Sequence, residues 1–293
     1  NGYLSSRVAK GLKKSSTGII DLLVPDLSPY ATEIVRGIEE GMKRTGLRMA
    51  LSFSQHEFFE EKRWLDTITD RATEGAILVL ARGQSSNLDE LRQRNIPFAI
   101  VDHRGELGPD VPSVGATNWM GGRIAVEYLL SLGHRRIAMI AGPDSFRCNL
   151  DRIAGYRAAL EAAALPVDPE LIRPGDFSLH TGYTQTCALL ALPEPPTAIF
   201  AGSDMQAMGV YKALYLRNIH VPDQMSVIGF DDLPLTTIVS PSLTTVRQPL
   251  FDMGRVATTM LLRQIAGEPL DSPRVELPTT LITRESCASL HTD

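Results

Sequence analysis

A chain of 293 residues with 43% hydrophobic and 22% charged side chains has the balance of a soluble globular protein, and its length suits two domains. No apolar run approaches the ~18 residues of a membrane span, and residues 1–14 have no apolar stretch behind their basic residues, so neither a membrane anchor nor a signal peptide is expected. Cys148, Cys187 and Cys287 are odd in number, widely spaced and outside any CxxC pattern, which predicts a reducing, cytoplasmic setting and no structural zinc.

The chain opens on Asn1 rather than Met, which implies a longer N-terminus in the whole protein. "YLSSRVAKGLKK" (3–14) carries Arg7, Lys10, Lys13 and Lys14 and no acid, although the formal charge of the whole chain is −5. By charge alone it is a basic tail. From residue 18 short apolar runs alternate with helical patterns. "GIIDLLVPD" (18–26) predicts a strand. "YATEIVRGIEEGMKRTG" follows with Ile34, Ile38 and Met42 on one helical face and Gly46 as a stop. "LRMALSFS" predicts the second strand, and Ser54 with Glu57 makes a capping-box pattern for a helix through Phe58, Leu65 and Ile68. "GAILVLA" (75–81) and "PFAIVD" (97–102) continue the series. A second series runs through "RIAMIAG" (136–142), "ELIRPGDF" (170–177), "TAIFAG" (197–202) and "SVIGFD" (226–231). "LTTVRQP", a helix from about Phe251 to Ile265, and "VELPTTLITRES" read as pieces that return to complete each series.

Strands this apolar, joined by helices, indicate parallel sheets covered on both faces. The expected class is α/β, with two doubly wound parallel-sheet lobes joined by a multi-strand hinge. The expected division is 1–16 as a linker, 17–117 with 247–277 as an N-terminal lobe, and 118–246 with 278–293 as a C-terminal lobe.

Ligands of open parallel sheets bind outside the carboxyl ends of the strands. Those ends carry Asp26, Asp102, Asp176, Phe177, Ser203, Asp204, Asp231 and Asp232. Each aspartate alone could cap the next helix; the set together predicts a polar cleft. Tyr30, Trp119 and Phe177 could stack on a sugar ring or a base, with Arg152 and Asp231 as directional hydrogen-bonding groups. His103 follows Asp102 and can face the same cleft, whereas His134 in "LGHRRI" reads as a structural cap. No nucleophile–base, phosphate-loop or metal-ligand pattern is present, and no cofactor is expected.

"TGIIDLLVPDLS", "SLGHRRIAMIAGP", "RIAGYRAAL", "AIFAGSDMQAMGVYKAL", "SVIGFDDLPL" and "SLTTVRQPLFDMG" together resemble the LacI/GalR family of bacterial transcription regulators. The resemblance spans essentially the whole chain. It implies a periplasmic-binding-protein-like core that senses an effector in the inter-lobe cleft, a homodimer, and a helix-turn-helix headpiece absent from this chain. It also matches residues 3–14 to the family's hinge segment. Ser6, Arg7, Ala9, Lys10, Leu12 and Lys13 would then meet operator DNA, with Leu12 as the wedge between base steps and the cations on phosphates. Ser5 and Gly11 depart from the family's usual Pro and Ser. By motif, the implied ligand residues are Asp102, Arg152, Phe177, Ser203, Asp231 and Gln248, with Trp119 and Cys148 also facing the pocket. The expected function is a sugar-responsive, non-enzymatic repressor core. The alternatives are a solute-binding protein for a sugar and a purine- or nucleoside-responsive regulator.

Overall fold

The computed structural model of the chain describes residues 17–55, 58–83 and 86–290, apart from the side chains of Phe58 and Phe59. The six hinge residues named above lie outside the described residues. The chain divides into two compact units. The first runs to Gly115 and takes up Leu250–Glu276 again; the second comprises Ala116–Pro249 and Leu277 onward.

The first unit is built from β1 (Ile19–Val24), α1 (Pro29–Met42), β2 (Arg48–Phe53), α2 (Phe58–Asp70), β3 (Gly75–Arg82), α3 (Ser86–Gln93), β4 (Phe98–Arg104) and β5 (Ser113–Ala116). From the C-terminal stretch it gains α8 (Leu250–Ile265) and β11 (Arg274–Leu277). The second holds α4 (Asn118–Ser131), β6 (Ile137–Ile140), α5 (Arg147–Ala162), β7 (Ile172–Arg173), α6 (Leu179–Leu190), β8 (Ala198–Ala201), α7 (Asp204–Tyr215), β9 (Ser226–Asp231), β10 (Thr244–Arg247) and β12 (Thr280–Ile282).

The two sheets have one topology. Their strand orders are β11-β5-β4-β3-β1-β2 and β12-β10-β9-β8-β6-β7. In each, the first strand lies inside the second and the chain then winds the other way, which puts a switch point between β1 and β3 and another between β6 and β8. The pairings from β2 to β5 and from β7 to β10 are parallel, whereas β12 runs antiparallel to β10.

Parallel strands need apolar residues on both faces, and the second unit shows the result. Ile137, Met139, Ala198 and Phe200 pack with Val126, Leu129, Tyr156 and Leu160 of α4 and α5. Their strand neighbours Ala138, Ile140, Ile199 and Ala201 pack on the other face with Leu189, Val210 and Leu214 of α6 and α7. In the first unit, Leu78, Phe98 and Ile100 meet Trp64, Leu65 and Ile68 of α2 and Leu88 and Leu91 of α3.

Two local expectations need correction. "ELIRPGDF" contributes only Ile172–Arg173 to the sheet, after a 3-10 turn at Pro169–Leu171. Pro174 has no N–H to give the ladder and ends the strand at once. Ser54 does not cap α2, which begins at Phe58; its N–H extends the β1–β2 ladder by donating to Val24 O at 2.9 Å. Glu57 lies outside the described residues. Among the described residues, side chains of Ser28, Ser178 and Ser203 cap α1, α6 and α7. Asp26 and Asp176 each accept the N–H two residues on and turn the chain into the first two of these caps.

Candidate ligand-binding site

In the second unit the carboxyl ends of β8, β9 and β10 converge on Arg152. This arginine sits in the second turn of α5, is 3% exposed, and is held on several sides. Its Nε donates to Asn118 Oδ1 at 2.9 Å, and Nη1 donates to Gly202 O past the end of β8. Its guanidinium lies 3.7 Å from the ring centroid of Phe230 and 5.4 Å from that of Phe177. Nη2 stands 3.9 Å from Asp231 Oδ1. The same Asp231 oxygen accepts a 2.6 Å hydrogen bond from Gln248 Nε2. A buried guanidinium tolerates desolvation only when paired and hydrogen-bonded, and its flat face suits aromatic rings.

The aromatic side is fixed by backbone geometry. Phe177 has φ +65°. Its ring lies so close to Gly142 that a Cβ there would come within 2.1 Å of Cζ and would have to displace the ring. Phe146 packs on the ring's other surroundings, with centroids 6.1 Å apart. Ser203 is occupied in the frame: its hydroxyl donates to Phe177 O at 3.0 Å and accepts from Gln206 N–H at 3.2 Å, tying α7 to the Phe177 loop. Cys148 is buried one helical turn before Arg152. Trp119 is 38% exposed and lies under the Arg123 guanidinium.

Gln248 Oε1 is a buried acceptor without a hydrogen-bond partner among the described residues. Next to this cluster Asp204 is fully buried, accepting from the Thr245 hydroxyl at 2.6 Å and from Leu233 N–H at 2.7 Å. Burial, and then the Asp231 carboxylate, push its carboxyl well above the ordinary range. Burial also pushes the Asp232 carboxyl up, but Arg284 and Arg247 outweigh it and hold it below that range.

The first unit has its own polar pair at the carboxyl end of β4. Asp102 is 5% exposed, and its Oδ2 accepts a hydrogen bond from the Tyr30 hydroxyl at the start of α1. His103 is half-buried, with Nδ1 2.8 Å from Gly105 O. His134 has a structural role: Nδ1 lies 2.9 Å from Thr197 Oγ1 and Nε2 3.1 Å from Ala288 O, tying the C-terminal segment to the end of α4. Among the described residues no group of His, Cys, Asp or Glu could hold a metal ion, and no helix is long and apolar enough to cross a membrane.

Sequence reasoning missed Asn118 and Phe230. Asn118 reads as an ordinary helix-start residue beside the more conspicuous Trp119, and Phe230 as strand core. Only the position of Arg152 shows that one orients the guanidinium and the other carries it.

Comparison with known proteins agrees with this architecture. Residues 126–287 match the model of a periplasmic binding protein-like domain. The chain is 34% identical over 291 residues to the HTH-type transcriptional repressor CytR of Escherichia coli (strain K12), covering 99% of this chain and 85% of that protein. It is 34% identical over 285 residues to the ribose operon repressor of Halalkalibacterium halodurans, covering 97% and 84%. A LacI-family transcriptional regulator from Enterococcus faecium with bound ribose superposes with a TM-score of 0.85 at 28% identity, over 93% of this chain and 100% of that one. With repressors as relatives along nearly its whole length and the same core in the solved structure of a LacI-family regulator, the chain belongs to the LacI family of transcriptional regulators.

Proposed function

We propose that this chain is the effector-sensing core of a transcription repressor whose effector is a small sugar with adjacent hydroxyls. The observation that carries the reading is the buried cluster of Arg152, Asp231 and Gln248 against the Phe177 ring. A guanidinium and a carboxylate side by side match vicinal hydroxyls, each of which both donates and accepts. Gln248 Oε1 adds an acceptor, and the aromatic ring suits the apolar C–H face of a sugar. Ribose bound to the Enterococcus faecium relative supports a pentose-sized ligand. In the first unit, Tyr30 and Asp102 are proposed as further ligand groups, from the short polar pair they form at the end of β4.

The relatives that carry this reading are repressors, so it is of a binding protein rather than an enzyme. It is a cytoplasmic homodimer whose segment 1–16 leads to a DNA-binding headpiece on an operator. The ligand regulates DNA binding to the extent that it prefers one conformation of the core. The test is a thermal-shift and calorimetric screen of D-ribose, other mono- and disaccharides, and nucleosides. Arg152→Ala and Asp231→Ala should each abolish the ligand-induced rise in Tm, and unchanged stabilisation in both places the ligand elsewhere. Stabilisation by nucleosides alone replaces the sugar reading with the nucleoside one. Operator gel shifts with the full-length protein should respond to the same ligand; DNA binding indifferent to it removes the regulatory role.

A further inference from the structure

Strands β3 and β4 are paired in register from Ala76↔Phe98 to Val79↔Val101 and again at Ala81↔His103 and Arg82↔Arg104, but the ladder omits the pair between them. That pair is Leu80 and Asp102, and both have left-handed backbones, with φ +56° and +49°. Two non-glycine residues side by side in this conformation form a double kink at the ligand end of the sheet, a strained arrangement that persists only where its surroundings impose it.

The kink changes where side chains go. On a regular strand, alternate residues share a face. Phe98 and Ile100 of β4 pack in the core that holds α2 and α3, and Arg104 continues this series by meeting Glu61 of α2. Asp102 alone leaves the series: its carboxylate meets Tyr30 of α1. Helix α1 packs on α8, which covers the opposite face, where Leu261 touches Gly75.

What imposes the kink is visible beside it. Turning Leu80 takes its carbonyl out of the ladder, and Arg104 Nε donates to that oxygen at 2.8 Å. The far end of the same guanidinium is anchored by Nη2 donating to Glu61 Oε1 at 2.7 Å. Arg104 and Glu61 are 7% and 3% exposed. A buried ion pair is a weak source of stability but a strong source of geometric definition when one geometry satisfies its hydrogen bonds.

We infer that Arg104, anchored by Glu61, is a positioning residue for effector recognition: it holds the β3–β4 double kink that turns Asp102 onto Tyr30. The inference rests on the proposed role of Tyr30 and Asp102 in binding, and it extends that role to two residues outside the set of ligand groups. Arg104→Lys keeps a charge near Glu61 but loses the guanidinium fork that spans Leu80 O and the carboxylate. Glu61→Gln keeps shape and volume and removes the anchor's charge.

The first measurement uses ligand-free protein with tyrosines isotope-labelled at Cζ. In Arg104→Lys and in Glu61→Gln, the Tyr30 resonance should move toward its position in Asp102→Ala, while the other tyrosine resonances stay in place. A general loss of packing moves several of them together, and a Tyr30 signal unmoved in either folded variant overturns the inference. Glu61→Gln carries the test if Arg104→Lys does not fold. The second measurement is D-ribose affinity. Arg104→Lys should weaken it about tenfold, the scale of one charge-assisted hydrogen bond. In an Asp102→Ala background the same change should add nothing, because the arginine acts through Asp102. Additive losses also overturn the inference. Absence of ribose binding in the unmodified protein counts against the sugar reading alone, since the tyrosine signal is read without ligand.

Discussion

Asp204 shows how closely one side chain in this site ties structure to pH. It is the first residue of α7, just behind the cap Ser203, with no exposed surface. The donors from Thr245 and Leu233 favour its ionised form, while burial and the neighbouring Asp231 oppose it more strongly, and the carboxyl titrates well above 3.8. Between its ordinary and its folded value the native protein therefore holds a proton that the unfolded chain has released. This contribution to stability is complete below about pH 4 and declines as pH rises through the folded value. Asp204→Asn, which cannot titrate, should flatten the decline of the stability curve above about pH 4, as read from urea denaturation against pH. An unchanged slope means that Asp204 is ionised in the fold. The same residue scale explains why Ser203, singled out in the sequence as a ligand group, reads differently in three dimensions. Its donor and one acceptor site are engaged within the frame, so its substitution should disturb the Phe177 loop before it disturbs any direct contact.

At the scale of elements, one packing device recurs. The helix pairs α1/α8, α4/α5 and α6/α7 each cross where a glycine on either helix meets the other's backbone. A Cβ on Gly37 would come 1.9 Å from Phe251 O and one on Gly254 2.2 Å from Ile34 O. Gly122 and Gly155 stand in the same relation to Arg152 O (2.3 Å) and Trp119 O (2.1 Å), and Gly182 and Gly209 to Gln206 O and Leu179 O (2.1 Å each). Backbone cannot yield as a flexible side chain can, so a methyl group must push the helices apart. Gly155→Ala should cost about 1–3 kcal/mol by chemical denaturation despite alanine's better helix propensity, and should weaken ligand binding because α5 carries Arg152. A neutral or stabilising effect contradicts the close crossing. These crossings were not legible in the sequence, where such glycines look like mild helix weaknesses. The strands were: apolar runs bounded by turn residues identified β1 to β4, β6, β8 and β9 because burial on both faces leaves few other compositions. β7 was overestimated because Ile172 resembles strand core while Pro174, two residues on, forbids it. The Arg104–Glu61 anchor was invisible for another reason: its partners are 43 residues apart, and no local pattern marks a buried ion pair.

On the scale of the whole molecule, the six family motifs made the sensor core readable, because short polar residues after apolar strands fall at one edge of each sheet. Asp102, Arg152, Phe177, Ser203, Asp231 and Gln248 were placed as ligand groups by motif position. The mutual arrangement of the second unit's groups around Phe230 and Asn118 could not be placed this way, since it depends on pairings across β8, β9 and β10. The chain passes from one unit to the other after Gly115, Pro249 and Glu276, so the first unit is made of two separated stretches. Residues 17–115 alone lack α8, the helix that meets α1 at Gly37 and Gly254. They should show no cooperative thermal transition, whereas the same stretch joined by a short linker to 250–276 should fold as a unit; cooperative folding of 17–115 by itself contradicts the need for α8. This has a consequence for biosynthesis. When a ribosome has finished β5, the side of α1 that meets α8 has no partner until the whole of the second unit's main stretch has been made, an interval on the order of ten seconds at usual rates of synthesis. During that wait the first sheet, which lacks only β11 and its covering helix α8, is a natural client for a chaperone, and slowing translation across residues 116–249 should raise the yield lost to aggregation rather than improve it.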